Sequence, residues 1–98
     1  MPLNRRGVDF YNSLIDELLR NDIIPFITLY HWDLPDSLQK EYNGLLNEKF
    51  VLDFAEYSKI CFQLFGDRVK NWITFNEPYV VAVLGNDYGV YAPGRCKI

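Results

Sequence analysis

Two runs of apolar and β-branched residues, well apart in the sequence, place the strongest constraint on the fold. The first is IIPFITLY at residues 23–30 and the second is NWITF at residues 71–75. Near-continuous apolarity is typical of strands that are buried on both faces, as in a parallel sheet. Proline cannot donate a ladder hydrogen bond, so the first strand is expected to begin late, after Pro25. We therefore predict two buried strands that pair in parallel.

A helix is predicted before the first strand. It begins at Asn4, whose side chain can cap it, and ends near Asn21. Its apolar residues recur with the spacing of one helix face, namely Tyr11, Leu14, Ile15, Leu18 and Leu19. Asp16 and Arg20 lie four residues apart on the opposite face, so we expect them to form an ion pair.

A second helix is predicted from Asn47, again as the cap, to Phe65, with Gly66 as a left-handed C-terminal cap. Its apolar face contains Phe54, Tyr57, Cys61, Phe62 and Phe65. Residues 31–46, HWDLPDSLQKEYNGLL, are predicted to form a long loop with one helical turn after Asp36. A last segment, residues 78–98, begins as a helix and then loosens at its glycines.

This order of elements brings two sets of polar residues together. Two parallel strands joined through a helix form a βαβ unit, in which both strands end at the same edge of the sheet. His31, Trp32 and Asp33 follow the first strand, and Asn76 and Glu77 follow the second. We therefore expect the two sets to lie side by side, at the edge where α/β folds bind ligands.

The side chains at this edge suit a carbohydrate better than a metal ion. Asn76 and His31 can each donate and accept hydrogen bonds, and Trp32 offers a flat apolar face with one N–H donor. One histidine and one glutamate fall short of a zinc or iron site. Each residue also has a structural interpretation when it is taken alone, with Trp32 in the core and Asp33 binding backbone amides.

Glu77 is the candidate for acid–base chemistry. Its neighbours in the sequence include Trp72, Phe75 and Tyr79, so poor solvation is expected to favour the neutral carboxyl and keep a proton available. The alternative is that Glu77 and Pro78 merely end the strand, because the residue before a proline disfavours helix. The residues alone therefore indicate a polar site of enzymatic character without fixing its reaction.

Composition excludes several classes of partner and cofactor. The 98 residues allow at most one small domain, and the net charge of −3 argues against nucleic acid or a membrane surface as a partner. Cys61 and Cys96 lack the spacing of a zinc or redox site. No phosphate-binding glycine motif is present, so we expect no cofactor. We also expect no metal, because there is no second histidine to complete a site. Without a signal sequence or a transmembrane run, a cytoplasmic location is favoured over secretion.

Three segments resemble glycoside hydrolase family 1, the β-glucosidase family. They are TLYHWDLP at residues 28–35, FGDRVKNW at residues 65–72 and TFNEP at residues 74–78. The resemblance covers almost the whole chain, including DFYNSLIDELL at residues 9–19 and APGRC at residues 92–96. It implies an α/β fold, a partial TIM (β/α)8 barrel. Residues 1–98 would then be an α-β-α-β fragment of one incomplete catalytic barrel domain, with its two parallel strands as the third and fourth of the barrel.

The resemblance also implies retaining hydrolysis of β-linked glucosides by two glutamates. The family's acid/base corresponds to Glu77, and the asparagine that binds the sugar's 2-hydroxyl corresponds to Asn76. The sugar-binding histidine corresponds to His31, with Trp32 beside it in the pocket wall. The implied partner is a small β-glycoside.

The family's nucleophile belongs to a T-E-N-G motif that does not occur in these 98 residues. Retaining hydrolysis needs two carboxyl groups about 5 to 5.5 Å apart, and Asp33 is expected to lie beside Glu77 rather than across the sugar from it. Two hypotheses follow: the sequence belongs to a retaining β-glycosidase, or it is a catalytically inactive remnant, at best a weak carbohydrate- or partner-binding module. The open edges of a two-stranded sheet also predict self-association.

Overall fold

The structure, a computed structural model, describes residues 3–96. Helix α1 (Arg5–Arg20) leads into strand β1 (Phe26–Tyr30), and a short helix α2 (Asp36–Tyr42) and a 3₁₀ turn (Gly44–Leu46) precede helix α3 (Lys49–Phe65). Strand β2 (Asn71–Phe75) is followed by α4 (Pro78–Val80), which continues as a π-helical turn (Val81–Gly85). The last segment predicted from the sequence ends at Lys97 and Ile98, which lie outside the described residues.

The two strands form one parallel sheet, as predicted. Phe26 pairs with Asn71 at one end and Tyr30 with Phe75 at the other. The ladder continues one residue further, because the Asn76 amide donates to the Tyr30 carbonyl at 2.9 Å. Both strands therefore end at the same edge. Strand β1 begins after Pro25, which confirms its late start.

Helix α1 begins as predicted, because the Asn4 side chain accepts a hydrogen bond from the Gly7 amide at 3.3 Å. The predicted ion pair between Asp16 and Arg20 is wrong. Arg20 pairs with Glu17 at 2.8 Å, whereas the Asp16 carboxylate accepts a hydrogen bond from Arg68 at 2.7 Å. An arginine from the turn before β2 competes for Asp16, and sequence spacing within α1 carries no information about it.

Helix α3 begins at Lys49, and its cap position is occupied by Glu48 and not by the predicted Asn47. The Asn47 side chain nevertheless accepts a hydrogen bond from the Lys49 amide at 2.9 Å. The left-handed cap predicted at the end of α3 is wrong, since Gly66 has φ −66° and ψ −13° and simply continues the right-handed turn. The single helical turn predicted after Asp36 is also wrong, because α2 runs over seven residues. The chain after α2 turns through two left-handed residues, Asn43 and Gly44.

A small core lies between α1, α3 and one face of the sheet. Its buried members are Ile15, Leu29, Cys61, Phe65 and Val69. The burial predicted for Cys61 is therefore confirmed, and burial raises the pKa of its thiol. The predicted burial of both strand faces is wrong for this chain, because Phe26 is 65% and Ile73 is 45% exposed.

A cavity of about 390 Å³ lies beside this core, between the two long helices and the sheet. Its lining is mostly apolar, and Tyr57, expected on the buried face of α3, is half-exposed at its rim. Among residues 3–96, none of the helices is both long and apolar enough to cross a bilayer.

Candidate active site

The candidate site is built on the two loops that leave the sheet at its shared edge. After β1, the His31 amide donates to the Asp33 carboxylate at 3.0 Å, which closes a tight turn. Asp33 therefore binds a backbone amide, as expected for a structural residue. His31 and Trp32 are exposed at the edge, and their rings meet edge to face with centroids 5.7 Å apart.

Trp32 joins the first loop to the second. Its backbone is left-handed, with φ 65°, and its indole N–H donates to the Asn76 carbonyl at 3.0 Å. Asn76 is in turn held by the hydrogen bond that its backbone amide donates to the Tyr30 carbonyl. The structure thus brings His31, Trp32 and Asn76 together at one edge of the sheet. Trp32, which is expected in the pocket wall, also makes a specific contact: its single indole N–H donates to the neighbouring loop.

Glu77 stands at the turn between β2 and α4. It has φ 45° and ψ 62°, a left-handed conformation, and its carbonyl accepts the first helical bond from Val81 at 3.2 Å. Pro78 occupies the first helical position, where its missing N–H costs nothing. The apolar surroundings expected for Glu77 are wrong for this chain, because its side chain is exposed and Tyr79 is 73% exposed. The Glu77 side chain is therefore accessible to solvent at the edge.

An aromatic cluster lies beneath the two loops. The rings of Tyr30 and Phe75, the last residues of β1 and β2, have centroids 5.0 Å apart, and Phe50 of α3 contacts both. Burial, with a smaller contribution from the Asp33 carboxylate, raises the pKa of Tyr30. The two loops that carry the exposed polar residues therefore begin directly after packed aromatic residues.

Tyr91 contacts Trp32, a contact that the sequence did not predict. Its ring stacks on Trp32 with centroids 5.9 Å apart and an angle of 24° between the planes. The loop that carries it, residues 87–96, folds back because the amides of Tyr91 and Arg95 donate to the carbonyls of Leu84 and Gly85 at 3.1 and 3.0 Å. The only signal in the sequence was the position of Tyr91 directly before the segment APGRC.

A groove of about 260 Å³ opens between the two loops. Its lining includes Tyr30, Trp32, Leu34, Val81, Asn86 and Pro93. This surface is concave and has aromatic rings and side-chain amides in its wall. Trp32 is the one predicted site residue that lines it, whereas His31, Asn76 and Glu77 lie outside its lining. Such a lining suits a small molecule that presents both apolar faces and hydrogen-bonding groups.

Comparison with known proteins decides the family. The sequence model of glycosyl hydrolase family 1 matches residues 1–97. The chain belongs to glycosyl hydrolase family 1. Among curated family 1 relatives, an isoflavonoid 7-O-β-apiosyl-glucoside β-glycosidase of Dalbergia nigrescens is 58% identical over 95 residues, which are 97% of this chain and 17% of the relative. β-Glucosidase 40 of Arabidopsis thaliana is 56% identical over 96 residues, which are 98% of this chain and 19% of the relative.

Solved family 1 structures share the fold of the chain. Rice Os3BGlu6 β-glucosidase matches with a TM-score of 0.98 at 55% identity, over 99% of this chain and 20% of the rice chain. A β-glucosidase from Thermotoga maritima in complex with cyclophellitol matches with a TM-score of 0.93 at 54% identity, over 99% of this chain and 22% of that one. The two parallel strands and their helices thus correspond to part of a family 1 TIM barrel. The chain spans about a fifth of the length of these relatives.

Proposed function

We propose that this chain supplies the acid/base portion of a retaining β-glucosidase, with Glu77 as the general acid/base. The observation that carries the proposal is the position of Glu77, which is an exposed carboxylate on the turn directly after a barrel strand. Active sites of TIM barrels lie at this end of their strands. In the proposed reaction, Glu77 protonates the departing glycosidic oxygen and later deprotonates the water that releases the sugar.

Asn76 and His31 are proposed to bind the sugar. Asn76 precedes the acid, and its backbone amide and carbonyl are both held, which leaves the side-chain amide for a hydroxyl group. The His31 ring is exposed at the same edge and stands against the ring of Trp32. Orientation by such contacts places the glycosidic oxygen relative to the carboxyl, which is a large part of enzymatic rate enhancement.

A second carboxyl group is needed for the covalent step, and we propose that it comes from another part of the barrel. Asp33 is a poor candidate, because its carboxylate accepts a hydrogen bond from the His31 amide and closes the turn after β1. It also follows the strand next to Glu77, whereas the nucleophile must approach the opposite side of the anomeric carbon.

The names and complexes of solved relatives support a β-glucoside as the substrate class. Rice Os3BGlu6 β-glucosidase has been solved as a glutamate-to-glutamine variant in a covalent complex with glucose, and the Thermotoga maritima enzyme has been solved with deoxynojirimycin. A covalent glucose complex is the intermediate that retaining hydrolysis requires. We propose the same substrate class, a small β-glucoside, for the barrel to which this chain contributes.

The test uses a barrel chimera, in which residues 1–98 replace the matching segment of rice Os3BGlu6 β-glucosidase. Glu77→Gln in the chimera should lower kcat/KM by about 100-fold or more for a glucoside with a poor leaving group, because general acid catalysis contributes roughly 10² to 10⁴ in rate. An activated aryl glucoside, whose leaving group needs no proton, should lose far less in the glycosylation step. The measurement is kcat/KM for a series of glucosides of graded leaving-group pKa.

The matched control is Glu48→Gln, which makes the same chemical change at an exposed position beside the start of α3. This control should leave both substrate types unchanged. Equal losses for good and poor leaving groups in Glu77→Gln would show that Glu77 is not the acid.

A further inference from the structure

We propose that Trp32 is a positioning residue, whose indole N–H fixes the Asn76–Glu77 peptide and thereby aims the Glu77 carboxylate. This proposal rests on the proposed role of Glu77 as the acid. It adds the hydrogen bond that holds the acid in place. It differs from a role for Trp32 as a sugar contact in the pocket wall.

The hydrogen bond is placed where it controls the direction of Glu77. The indole N–H of Trp32 donates to the Asn76 carbonyl at 3.0 Å, across 44 residues of sequence. This carbonyl belongs to the peptide plane that joins Asn76 to Glu77. On the other side of Glu77, its own carbonyl accepts a hydrogen bond from the Val81 amide at 3.2 Å. With the peptide planes on both sides held, the φ and ψ of Glu77 are fixed, and so is the direction in which its side chain leaves the backbone.

The backbone at Glu77 needs such a restraint. Its φ of 45° is left-handed, a region that residues with a side chain adopt only when their surroundings enforce it. Trp32 is itself left-handed, with φ 65°. Trp32 and Glu77 thus both have uncommon backbone conformations, one on each loop. The hydrogen bond from the Trp32 indole links Trp32 to the peptide that precedes Glu77. Without that bond, the Asn76–Glu77 peptide can rotate toward the extended form that residues before proline prefer.

The indole is itself held from its other side. Its ring stacks on Tyr91 with centroids 5.9 Å apart, and the Tyr91 amide is bonded to the Leu84 carbonyl at 3.1 Å. Leu84 belongs to the helical segment that Glu77 begins. The contacts therefore form a closed loop from Glu77 through that segment to Tyr91, Trp32 and Asn76. Because Trp32 has a single N–H, the donor spent on Asn76 is not available to a sugar hydroxyl.

The decisive variant is Trp32→Phe in the barrel chimera, which keeps an aromatic ring against Tyr91 and removes the donor. We expect kcat/KM to fall by about 10- to 100-fold for glucosides with poor leaving groups, since a misplacement near 1 Å costs on that order. Activated aryl glucosides should lose less than about threefold. The KM for either type should change little, because the bond acts on the acid and not on the sugar.

The matched control is Trp72→Phe. The Trp72 indole also donates to a main-chain carbonyl, that of Val69 at 3.3 Å, but at the opposite end of β2. This control removes the same kind of bond far from the edge, so it should lower the thermal unfolding midpoint without creating a dependence on the leaving group. A leaving-group effect of equal size in both variants would overturn the proposal.

A double variant separates this inference from the proposed function. In the Glu77→Gln background, Trp32→Phe should cost less than about threefold further for poor leaving groups, because the group it aims is already absent. Additive losses, or equal losses for all substrates in the single variant, would show that Trp32 contacts the sugar and would refute the inference alone. If Glu77→Gln loses the same kcat/KM for good and poor leaving groups, both the proposed role of Glu77 and the inference about Trp32 are refuted.

Tyr91→Leu decides the question if Trp32→Phe does not fold. This variant keeps the indole donor and removes the ring that supports it. We expect the same selective loss for poor leaving groups, at about two- to fivefold, as for a weakened hydrogen bond. An unchanged leaving-group dependence in a folded Tyr91→Leu chimera would contradict the proposal.

Discussion

Arg68 fastens the turn before β2 to helix α1. Its guanidinium donates to Asp16 at 2.7 Å, to Asn12 at 2.5 Å and to the Leu64 carbonyl at 3.4 Å. It also contacts the neighbouring carboxylate of Asp67. The hydrogen bond to Asp16 is the main cause of the raised pKa of Arg68. Several partners share one side chain that is only 23% exposed, so its contribution exceeds that of an ordinary surface pair.

We predict that Arg68→Met in the barrel chimera destabilises the fold by about 1 to 3 kcal/mol, since it removes the hydrogen bonds that the guanidinium makes to four acceptors. Arg20→Met is the control, because Arg20 also pairs on α1 but is 69% exposed. The control should produce no measurable change, as is usual for exposed ion pairs. The thermal unfolding midpoint measures both, and a similar drop in the two variants would contradict the prediction.

Single residues also show what could be predicted from the sequence. The positions of His31, Asn76 and Glu77 follow from the rule that parallel strands end together, and the structure places them at one edge. The left-handed backbone of Glu77 could not be predicted. A residue before proline prefers extended geometry, whereas Glu77 has φ 45° and follows a carbonyl that accepts a hydrogen bond from Trp32, a contact across 44 residues.

At the scale of elements, α2 shows how a tertiary contact extends a helix beyond its local signals. Tyr42, the last residue of α2, is buried, and its hydroxyl donates to the Asp53 carboxylate of α3 at 2.8 Å. Burial and this hydrogen bond raise the pKa of Tyr42 to about 12. Sequence patterns predicted α1 and α3 from their apolar periodicity and both strands from their near-continuous apolar runs. The partner that orders α2 lies on another helix, so its full length could not be predicted.

Gly44 allows the chain to turn after α2. Its φ is 56°, and a Cβ at this position would lie 2.8 Å from the Leu34 side chain. Gly44→Ala should therefore destabilise the barrel chimera by about 1 to 3 kcal/mol, through both backbone strain and overlap. Urea-induced unfolding, followed by circular dichroism, measures the change.

Gly7→Ala is the matched control for Gly44→Ala. Gly7 lies in the first turn of α1 with ordinary helical backbone, and an added Cβ would meet the Asn4 side chain at 3.6 Å, a normal contact. The control should stabilise the chimera by roughly 0.5 to 1 kcal/mol, the difference in helix propensity. If both variants shift the unfolding midpoint in the same direction, the backbone argument for Gly44 is wrong.

At the scale of the whole molecule, the described chain is elongated. It measures 51 by 27 by 19 Å and has a radius of gyration of 15.5 Å, whereas a compact domain of 100 residues has about 13 Å. Large apolar side chains remain exposed on the strands, with Phe26 at 65% and Ile73 at 45%. Each of the two strands also has one edge that pairs with no other strand of the described chain. Such edges favour pairing with other chains.

We predict that the 98-residue polypeptide, prepared by itself, self-associates or is partly molten. Light scattering after size-exclusion chromatography should report species larger than one chain of 11.5 kDa. Ile73→Lys, which places a charge on an exposed strand position, should reduce the association. A monomer with dispersed amide NMR signals and a cooperative thermal transition would refute the prediction.

The left-handed backbone at Glu77 has an evolutionary consequence. Glycine adopts this conformation without steric penalty, so Glu77→Gly would relieve about 1 kcal/mol of strain, and its codon is one base away. In a lineage released from selection for catalysis, mutation would carry this position toward glycine and stabilise the fold as the carboxyl group is lost. Under the role proposed for Glu77, a gene that keeps glutamate here retains the acid in place of a less strained turn.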